Sequence, residues 1–183
     1  MKSALIVVDM QNDFVRKNGA LSVEGGGETL PVIESLLEKA SEKGIPVFFT
    51  MDWHSPDDPE FERDGWPRHA VRNTKGAEIV EELSPKESNV EIIKNTEYDK
   101  FSGTKLGEKL SKKGVKRVYL CGLATDYCIK FTSLTALKLG FKVNVVIDGI
   151  KPVSKETGKE AKKEMEKAGA KFKSSEQALV ELG

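Results

Sequence analysis

Residues 4–9 have the sequence Ala4-Leu5-Ile6-Val7-Val8-Asp9, and this stretch gives the clearest indication of the fold class. A nearly continuous apolar run is typical of a parallel strand that is buried on both of its faces. Similar runs recur along the chain at intervals that leave room for a helix. We predict six strands, over residues 5–9, 47–52, 90–94, 117–121, 142–147 and 170–173.

Helical patterns separate these strands, and several of them stop at a glycine, as helices often do. We predict helices over residues 29–43, 76–83, 104–113, 125–139, 155–168 and 175–182. Alternating strands and helices indicate a parallel sheet with right-handed crossovers. The expected fold is a three-layer α/β/α sandwich, formed by one domain over residues 1–183.

Composition excludes several classes of function. The 183 residues contain 29 basic and 29 acidic side chains, so no net charge favours nucleic acid or an anionic membrane surface. No apolar run approaches the roughly 20 residues of a membrane helix. No signal-peptide pattern precedes the first strand, and we expect a cytoplasmic protein. The two cysteines lie seven positions apart and do not form a disulfide framework.

Chemically capable side chains stand at the carboxyl ends of the predicted strands. Asp9, Asp52 and Lys94 end the first three strands, and Cys128 follows the fourth by a short turn. In open α/β sheets ligands bind at this edge, at the point where the strand order reverses. We therefore expect these four residues to share one site.

Cys128 has the position of a reactive thiol. Residues 122–128 link the fourth strand to a helix. Thr125 or Asp126 is a plausible N-cap of this helix, so Cys128 falls in its first turn. The free N–H groups and the helix dipole would lower its pKa from about 8.5 and could also receive an oxyanion beside the small Ala124. The alternative is a buried thiol that acts as a small apolar residue.

Asp9 and Lys94 suggest a division of labour with this thiol. The carboxylate can take the thiol proton and return it to a leaving nitrogen, while the ammonium supports both anions. The alternative is a structural ion pair at the edge of the sheet.

Asp52, His54 and His69 offer one oxygen and two nitrogens to a metal ion. His54 and His69 are the only histidines of the chain, and both fall in or beside one loop. This set suits Zn²⁺ first, with Fe²⁺ or Mn²⁺ as alternatives, and Glu62 or Asp64 could add a further ligand. Otherwise the histidines would serve as hydrogen-bonding caps of a loop.

Aromatic side chains accompany the polar groups and could line a pocket for a flat ligand. They are Phe14, Trp53, Trp66, Tyr98 and Phe101. The alternative for some of them is a place in the core or an anchor for a loop.

Four motifs together resemble those of a known family. They are residues 8–14 (VDMQNDF), 52–54 (DWH), 66–69 (WPRH) and 122–128 (GLATDYC). The first motif resembles the opening of isochorismatase-like cysteine hydrolases, and the other three narrow the resemblance to nicotinamidases. The likeness extends from the first strand to at least the fifth.

The resemblance implies hydrolysis of nicotinamide, and of its analogue pyrazinamide, to the acid and ammonia. By analogy Cys128 is the nucleophile that forms a thioester, Asp9 its proton acceptor and donor, and Lys94 the third member of a triad. Asp52, His54 and His69 would hold the metal, which coordinates the pyridine nitrogen. Further implications concern the substrate pocket, the backbone and the assembly. At the site they are a cis peptide at residues 123–124, an oxyanion hole at Ala124 and Cys128, and substrate contacts by Phe14, Trp66, Tyr98 and Ala124. For the fold the resemblance implies strand order 3-2-1-4-5-6. It also implies a role in NAD salvage and assembly into homo-oligomers.

Three alternatives stay open on the sequence. The chain could be another cysteine amidase, acting on a carbamoyl or ureido substrate. It could be a metallohydrolase in which metal-bound water attacks and Cys128 is passive. It could also be a small-molecule sensor that binds without turnover.

Overall fold

The structure is a computed structural model that describes residues 1–85 and 89–183. Six strands form one sheet in the order β3-β2-β1-β4-β5-β6, and every neighbouring pair is parallel. The predicted fold and strand order are confirmed. The strands are β1 (Ser3–Val8), β2 (Val47–Asp52), β3 (Val90–Asn95), β4 (Arg117–Leu123), β5 (Lys142–Lys151) and β6 (Lys171–Lys173).

The opening apolar run lies at the centre of the sheet because both of its faces can be buried. Leu5 pairs with Val47 of β2 and with Tyr119 of β4, and residues 4–8 are fully buried. Successive side chains of a strand point to opposite faces. Ile6 therefore belongs to one hydrophobic core and Leu5 to the other.

Helices cover both faces of the sheet. The longer helices are α2 (Leu30–Glu42), α4 (Leu106–Lys112), α5 (Lys130–Lys138), α6 (Lys155–Ala168) and α7 (Ser175–Leu182), and the two single-turn helices are α1 (Asn12–Val15) and α3 (Glu60–Arg63). Buried residues of α2 and α7 pack against one face, and those of α4, α5 and α6 pack against the other. In the described part of the chain no helix has both the length and the apolar character to cross a bilayer.

The predicted helix over residues 76–83 is wrong. Two short 3₁₀-helical turns, Lys75–Ala77 and Glu81–Leu83, stand there instead. The backbone between them pairs with the segment after β1, since the Asn12 amide donates to the Glu78 carbonyl and the Val80 amide to the Met10 carbonyl. These hydrogen bonds replace the i→i−4 bonds that a helix would need.

Candidate active site

Asp9 and Cys128 meet at the switch point of the sheet, as the sequence predicts. Asp9 follows β1, and Cys128 lies in the turn after the neighbouring strand β4. Both side chains are buried. The Thr50 hydroxyl donates to Oδ1 of Asp9 over 2.6 Å, and the Asp9 amide donates to the Thr50 carbonyl over 3.2 Å. The carboxylate is therefore fixed by strand β2 as well as by its own strand.

The turn after β4 is shaped by glycine and by an unusual helix start. Gly122 has φ +114°, and a Cβ there would lie 2.1 Å from the Val8 carbonyl oxygen, so no larger residue fits. The Leu123–Ala124 peptide is cis, as the resemblance implies. A π-helical turn, Thr125–Ile129, then leads into α5. Cys128 thus sits in the first turn of a continuous helical segment.

The predicted N-cap is wrong. Ala124 occupies the N-cap position, and neither Thr125 nor Asp126 caps the turn with its side chain. Asp126 instead accepts hydrogen bonds from the Val153 amide (2.9 Å) and the Thr157 hydroxyl (2.5 Å) at the start of α6. Its carboxylate fastens the thiol-bearing turn to the loop after β5.

Lys100, and not Lys94, supplies the buried ammonium. Its Nζ lies 2.9 Å from Oδ2 of Asp9 and 2.5 Å from Oδ1 of Asp52, and its side chain is fully buried. The prediction that Lys94 lies beside Asp9 is wrong. Lys94 is exposed, with its Nζ 3.7 Å from the centroid of a Trp53 ring.

Strand register explains this exchange of lysines. In the pairing of β2 with β3, Asp52 lies opposite Asn95, and Lys94 lies opposite Met51. Neighbouring residues of a strand point to opposite faces, so Lys94 is directed away from the Asp52 carboxylate. Lys100 reaches the site from the following loop, where its amide donates to the Thr132 hydroxyl and its Nζ lies 3.2 Å from Oδ1 of Asn95.

Burial and the ammonium set the protonation of the carboxylates. Burial raises the pKa of Asp9 above its usual range, although Lys100 opposes this shift. Burial also disfavours ionisation of Asp52, but Lys100, His54 and His69 outweigh it and hold the pKa of Asp52 below its usual range. Asp52 is therefore the ionised member of the pair, and Asp9 the one that can exchange a proton.

Burial favours the protonated form of the Cys128 thiol. Burial raises the pKa of Cys128 well above its usual value, and Asp9 and Asp52 add to this shift while Lys100 opposes it. The predicted lowering of this pKa by the helix start is wrong, because the dipole does not compensate for burial beside two carboxylates. The thiol must transfer its proton to a base as it reacts.

Asp52, His54 and His69 converge as predicted. Each offers a ligand atom, and these atoms all lie within 4.8 Å of one another. Both Nε2 atoms face the same carboxylate oxygen of Asp52, His54 at 3.6 Å and His69 at 3.7 Å. These separations are longer than direct hydrogen bonds, and Nε2 of His54 is buried with no hydrogen-bond partner.

Outer contacts orient both imidazoles. Nδ1 of His54 lies 3.0 Å from Oδ2 of Asp58, and Nδ1 of His69 lies 2.7 Å from the Pro67 carbonyl oxygen. An imidazole that donates its Nδ1–H in this way presents the Nε2 lone pair to a metal. The buried, unpartnered Nε2 of His54 and the one-oxygen, two-nitrogen donor set therefore fit a divalent ion.

The two acidic residues suggested as additional ligands lie elsewhere. Glu62 is exposed, and Asp64 accepts hydrogen bonds from Arg63 and Tyr98. Asp58 and Glu60 take the place beside His54, with a Glu60 carboxylate oxygen 3.8 Å from Nδ1. Loop geometry decides this choice, and the sequence gives no signal for it.

A narrow, largely apolar cavity of about 50 Å³ joins the thiol to Asp52 and His69. Its wall contains the four residues suggested as substrate contacts. The lining residues are Asp9, Phe14, Leu21, Val23, Asp52, Trp66, His69, Tyr98, Leu123, Ala124, Tyr127, Cys128 and Val153. Trp53 and Phe101 are not among them, because Trp53 packs under Lys94 and Phe101 lies in the core. Leu21, Val23, Tyr127 and Val153 were missed by the sequence analysis.

Comparisons with known proteins agree with this arrangement. The isochorismatase domain family matches residues 3–177. A nicotinamidase of Escherichia coli (strain K12) is 35% identical, over 82% of this chain and 84% of that protein.

Two solved structures extend the likeness. The pyrazinamidase of Pyrococcus horikoshii in complex with zinc has a TM-score of 0.88 and 40% identity, over 95% of this chain and 99% of that chain. The N-carbamoylsarcosine amidase of Thermoplasma acidophilum has a TM-score of 0.83 and 30% identity, over 96% of this chain and 97% of that chain.

Proposed function

Since this chain belongs to the isochorismatase family and is a hydrolase that acts on amides, we propose that it converts nicotinamide to nicotinate and ammonia through a thioester on Cys128. One observation supports this proposal above the others. Asp52 belongs both to the cluster with His54 and His69 and to a cluster with Asp9 and Cys128, whose ligand atoms also lie within 4.8 Å of one another. A nucleophile and a metal cluster that share one carboxylate can act on the two ends of a single small ring.

In the acylation step we assign the proton to Asp9. The Cys128 sulfur attacks the amide carbon while its proton passes to the Asp9 carboxylate, whose raised pKa suits it to hold a proton. The same proton then moves to the amide nitrogen, and ammonia leaves as the carbonyl re-forms. Lys100 offsets the negative charge that Asp9 and Asp52 would otherwise concentrate beside the sulfur.

We assign the oxyanion to the backbone amides of Ala124 and Cys128. Both residues line the cavity at the turn where the sulfur is presented. Preorganised amides aimed at a developing oxyanion lower the barrier by roughly 3–4 kcal/mol each. In the deacylation step Asp9 takes a proton from water, whose oxygen attacks the thioester carbon, and the thiol leaves with that proton.

A divalent ion held by Asp52, His54 and His69 would act as a Lewis acid for the ring nitrogen of the substrate. We propose Zn²⁺, with Fe²⁺ or Mn²⁺ as alternatives. Asp58 and the Pro67 carbonyl keep both imidazoles turned toward the ligand position, so the cluster orients the ring before the thiol reacts.

The lining of the cavity favours a neutral aromatic amide over a carbamoyl amino acid. A substrate carboxylate would need a cation, but no lysine or arginine of the described residues lines this cavity, and the Lys100 ammonium behind it already faces Asp9 and Asp52. Burying an unpaired charge is costly. Phe14, Trp66, Tyr98 and Tyr127 instead offer ring faces and edges to a flat ligand.

An ammonia-release assay tests the proposal. The Zn²⁺-loaded protein is given nicotinamide, pyrazinamide, benzamide and an N-carbamoyl amino acid in parallel. We expect nicotinamide and pyrazinamide to be hydrolysed with much higher kcat/KM than benzamide, which lacks the ring nitrogen. Faster hydrolysis of the carbamoyl acid, or equal rates for benzamide and nicotinamide, would contradict it.

We also propose that residues 1–183 form one domain and that the reaction serves NAD salvage. The cytoplasmic location and the assembly into homo-oligomers stay predictions.

A further inference from the structure

An aromatic cluster forms part of the cavity wall through Trp66, Tyr98 and Tyr127, and it continues outward to the exposed ring of Phe131. The Tyr98 ring stacks on Phe131, with centroids 5.8 Å apart and planes 19° apart. Tyr98 also meets Tyr127 at 5.2 Å, and Trp66 meets Tyr127 edge-on at 5.5 Å. Tyr98 is thus at the centre of the cluster, since it lines the cavity beside Tyr127 and also stacks on the exposed ring of Phe131.

A chain of hydrogen bonds passes through the Tyr98 hydroxyl. The Trp66 Nε1–H donates to the Tyr98 oxygen over 2.8 Å, and the Tyr98 hydroxyl donates to Oδ2 of Asp64 over 3.0 Å. Asp64 is itself paired with Arg63 at 2.7 Å. Burial, followed by Asp64, raises the pKa of Tyr98 to about 12, so the hydroxyl keeps its proton at neutral pH.

Trp66 depends on this anchor because its own segment is irregular. It follows Gly65, which has φ +70°, and precedes His69 by three residues in a loop without helix or strand. The hydrogen bond from the Trp66 indole to the Tyr98 hydroxyl connects this loop to the segment after β3. The wall of the cavity and a residue of the metal cluster therefore share one short loop.

We propose that the Tyr98 hydroxyl is a positioning group, which holds the Trp66 indole as the wall of the cavity and thereby sets affinity for the aromatic amide. This inference rests on the proposed function. A cavity of about 50 Å³ is far below the roughly 300 Å³ of an ordinary ligand pocket, so a small turn of the indole changes what enters. The hydroxyl does not touch the reacting atoms, so its loss changes binding and leaves the chemical step intact.

Tyr98→Phe tests the inference because it removes the hydroxyl and keeps the stacked ring. Trp53→Phe leaves Trp66 as the sole tryptophan of the chain, so its fluorescence reports the wall directly. In this background we expect Tyr98→Phe to increase acrylamide quenching of Trp66 at least about twofold. We expect the KM for nicotinamide to rise about fivefold to tenfold, with kcat within about twofold, as loss of one half-buried hydrogen bond allows.

Tyr119→Phe is the matched control. The Tyr119 hydroxyl also donates a half-buried hydrogen bond to a carboxylate, that of Glu181 at 2.6 Å, but Tyr119 does not line the cavity. We expect a similar fall in Tm without change in KM or in quenching. Asp64→Ala, which keeps both rings, provides the same readouts if Tyr98→Phe fails to fold.

Unchanged quenching of Trp66 in folded Tyr98→Phe would overturn the inference, as would greater quenching with an unchanged KM in either this variant or Asp64→Ala. A fall in kcat at constant KM would also overturn it. Failure of the proposed function is distinguishable, since the parent protein would then release no ammonia while the fluorescence still reports whether the hydroxyl holds Trp66.

Discussion

The two halves of the active site are built in different ways. Asp9 and Cys128 of the thiol half stand at the ends of β1 and β4, which are neighbouring strands at the centre of the sheet. In the metal half Asp52 ends β2, whereas His54 and His69 lie in the loop that follows. Two backbone hydrogen bonds join the two ends of this loop. The His54 amide donates to the Ala70 carbonyl, and the Arg72 amide donates to the His54 carbonyl.

The two halves differ in what holds their side chains in place. The thiol half is fixed by the ladder of the sheet, which orders with the core. The metal half depends on loop contacts and on charge. Lys100 connects the two, because its ammonium lies between Asp9 and Asp52. A substitution can therefore disrupt one half, or the Lys100 link between them, while the properties of the other half stay measurable.

The largest effect is expected when the connection is cut. Lys100→Met leaves Asp9 and Asp52 buried without their cation, and breaking a buried ion pair costs roughly 3–5 kcal/mol. We expect the free energy of unfolding in urea to fall by about that amount, with loss of ammonia release. A stability change below about 1 kcal/mol would show that the two carboxylates do not depend on Lys100.

A smaller and more selective effect is expected from the metal half. His69→Ala removes one nitrogen of the cluster, so Zn²⁺ affinity should fall by more than the roughly 10- to 100-fold that loss of an outer contact costs. The rate at which iodoacetamide modifies the Cys128 peptide should stay within about twofold in the metal-free protein. Metal analysis and peptide mass mapping measure the two halves separately. Full retention of Zn²⁺ would remove His69 from the ligand set.

The smallest effect is expected at Lys94. Lys94→Met removes an exposed cation over Trp53, an interaction of roughly 0.5–1 kcal/mol. Ammonia release should stay within about twofold of the parent and Tm should change little. Loss of activity comparable to that of Lys100→Met would reverse the assignment of the two lysines.

The same difference between the halves explains what the sequence could predict. The strands, Asp9 and Cys128 follow from apolar runs and from positions at strand ends, which are local signals, whereas the strand order follows from the family resemblance. The metal trio follows from residue types in close spacing. The strand-end residues depend on regular backbone, whose side-chain directions repeat, whereas the histidines are recognised by residue type alone.

Lys100 could not be predicted, because its position depends on register and on a loop. Lys94 ends the predicted third strand, but the pairing of β2 with β3 places Asn95 and not Lys94 opposite Asp52, so Lys94 faces the other side of the sheet. The path that brings Lys100 to Asp9 is fixed by contacts such as the hydrogen bond from its backbone amide to the Thr132 hydroxyl, 32 positions away. No local pattern encodes such a contact.

The identity of the attacking group is tested most directly by ammonia release from nicotinamide by Zn²⁺-loaded Cys128→Ala. Cys128 is buried beside Asp9 and Lys100 but is not one of the three residues assigned to the metal, so the variant should bind Zn²⁺ at parental stoichiometry. We expect its rate to fall by at least about 10⁴-fold, as loss of an enzyme nucleophile typically causes. A rate near that of the parent, with Zn²⁺ bound, would mean that water attacks the amide and that the thiol is a bystander.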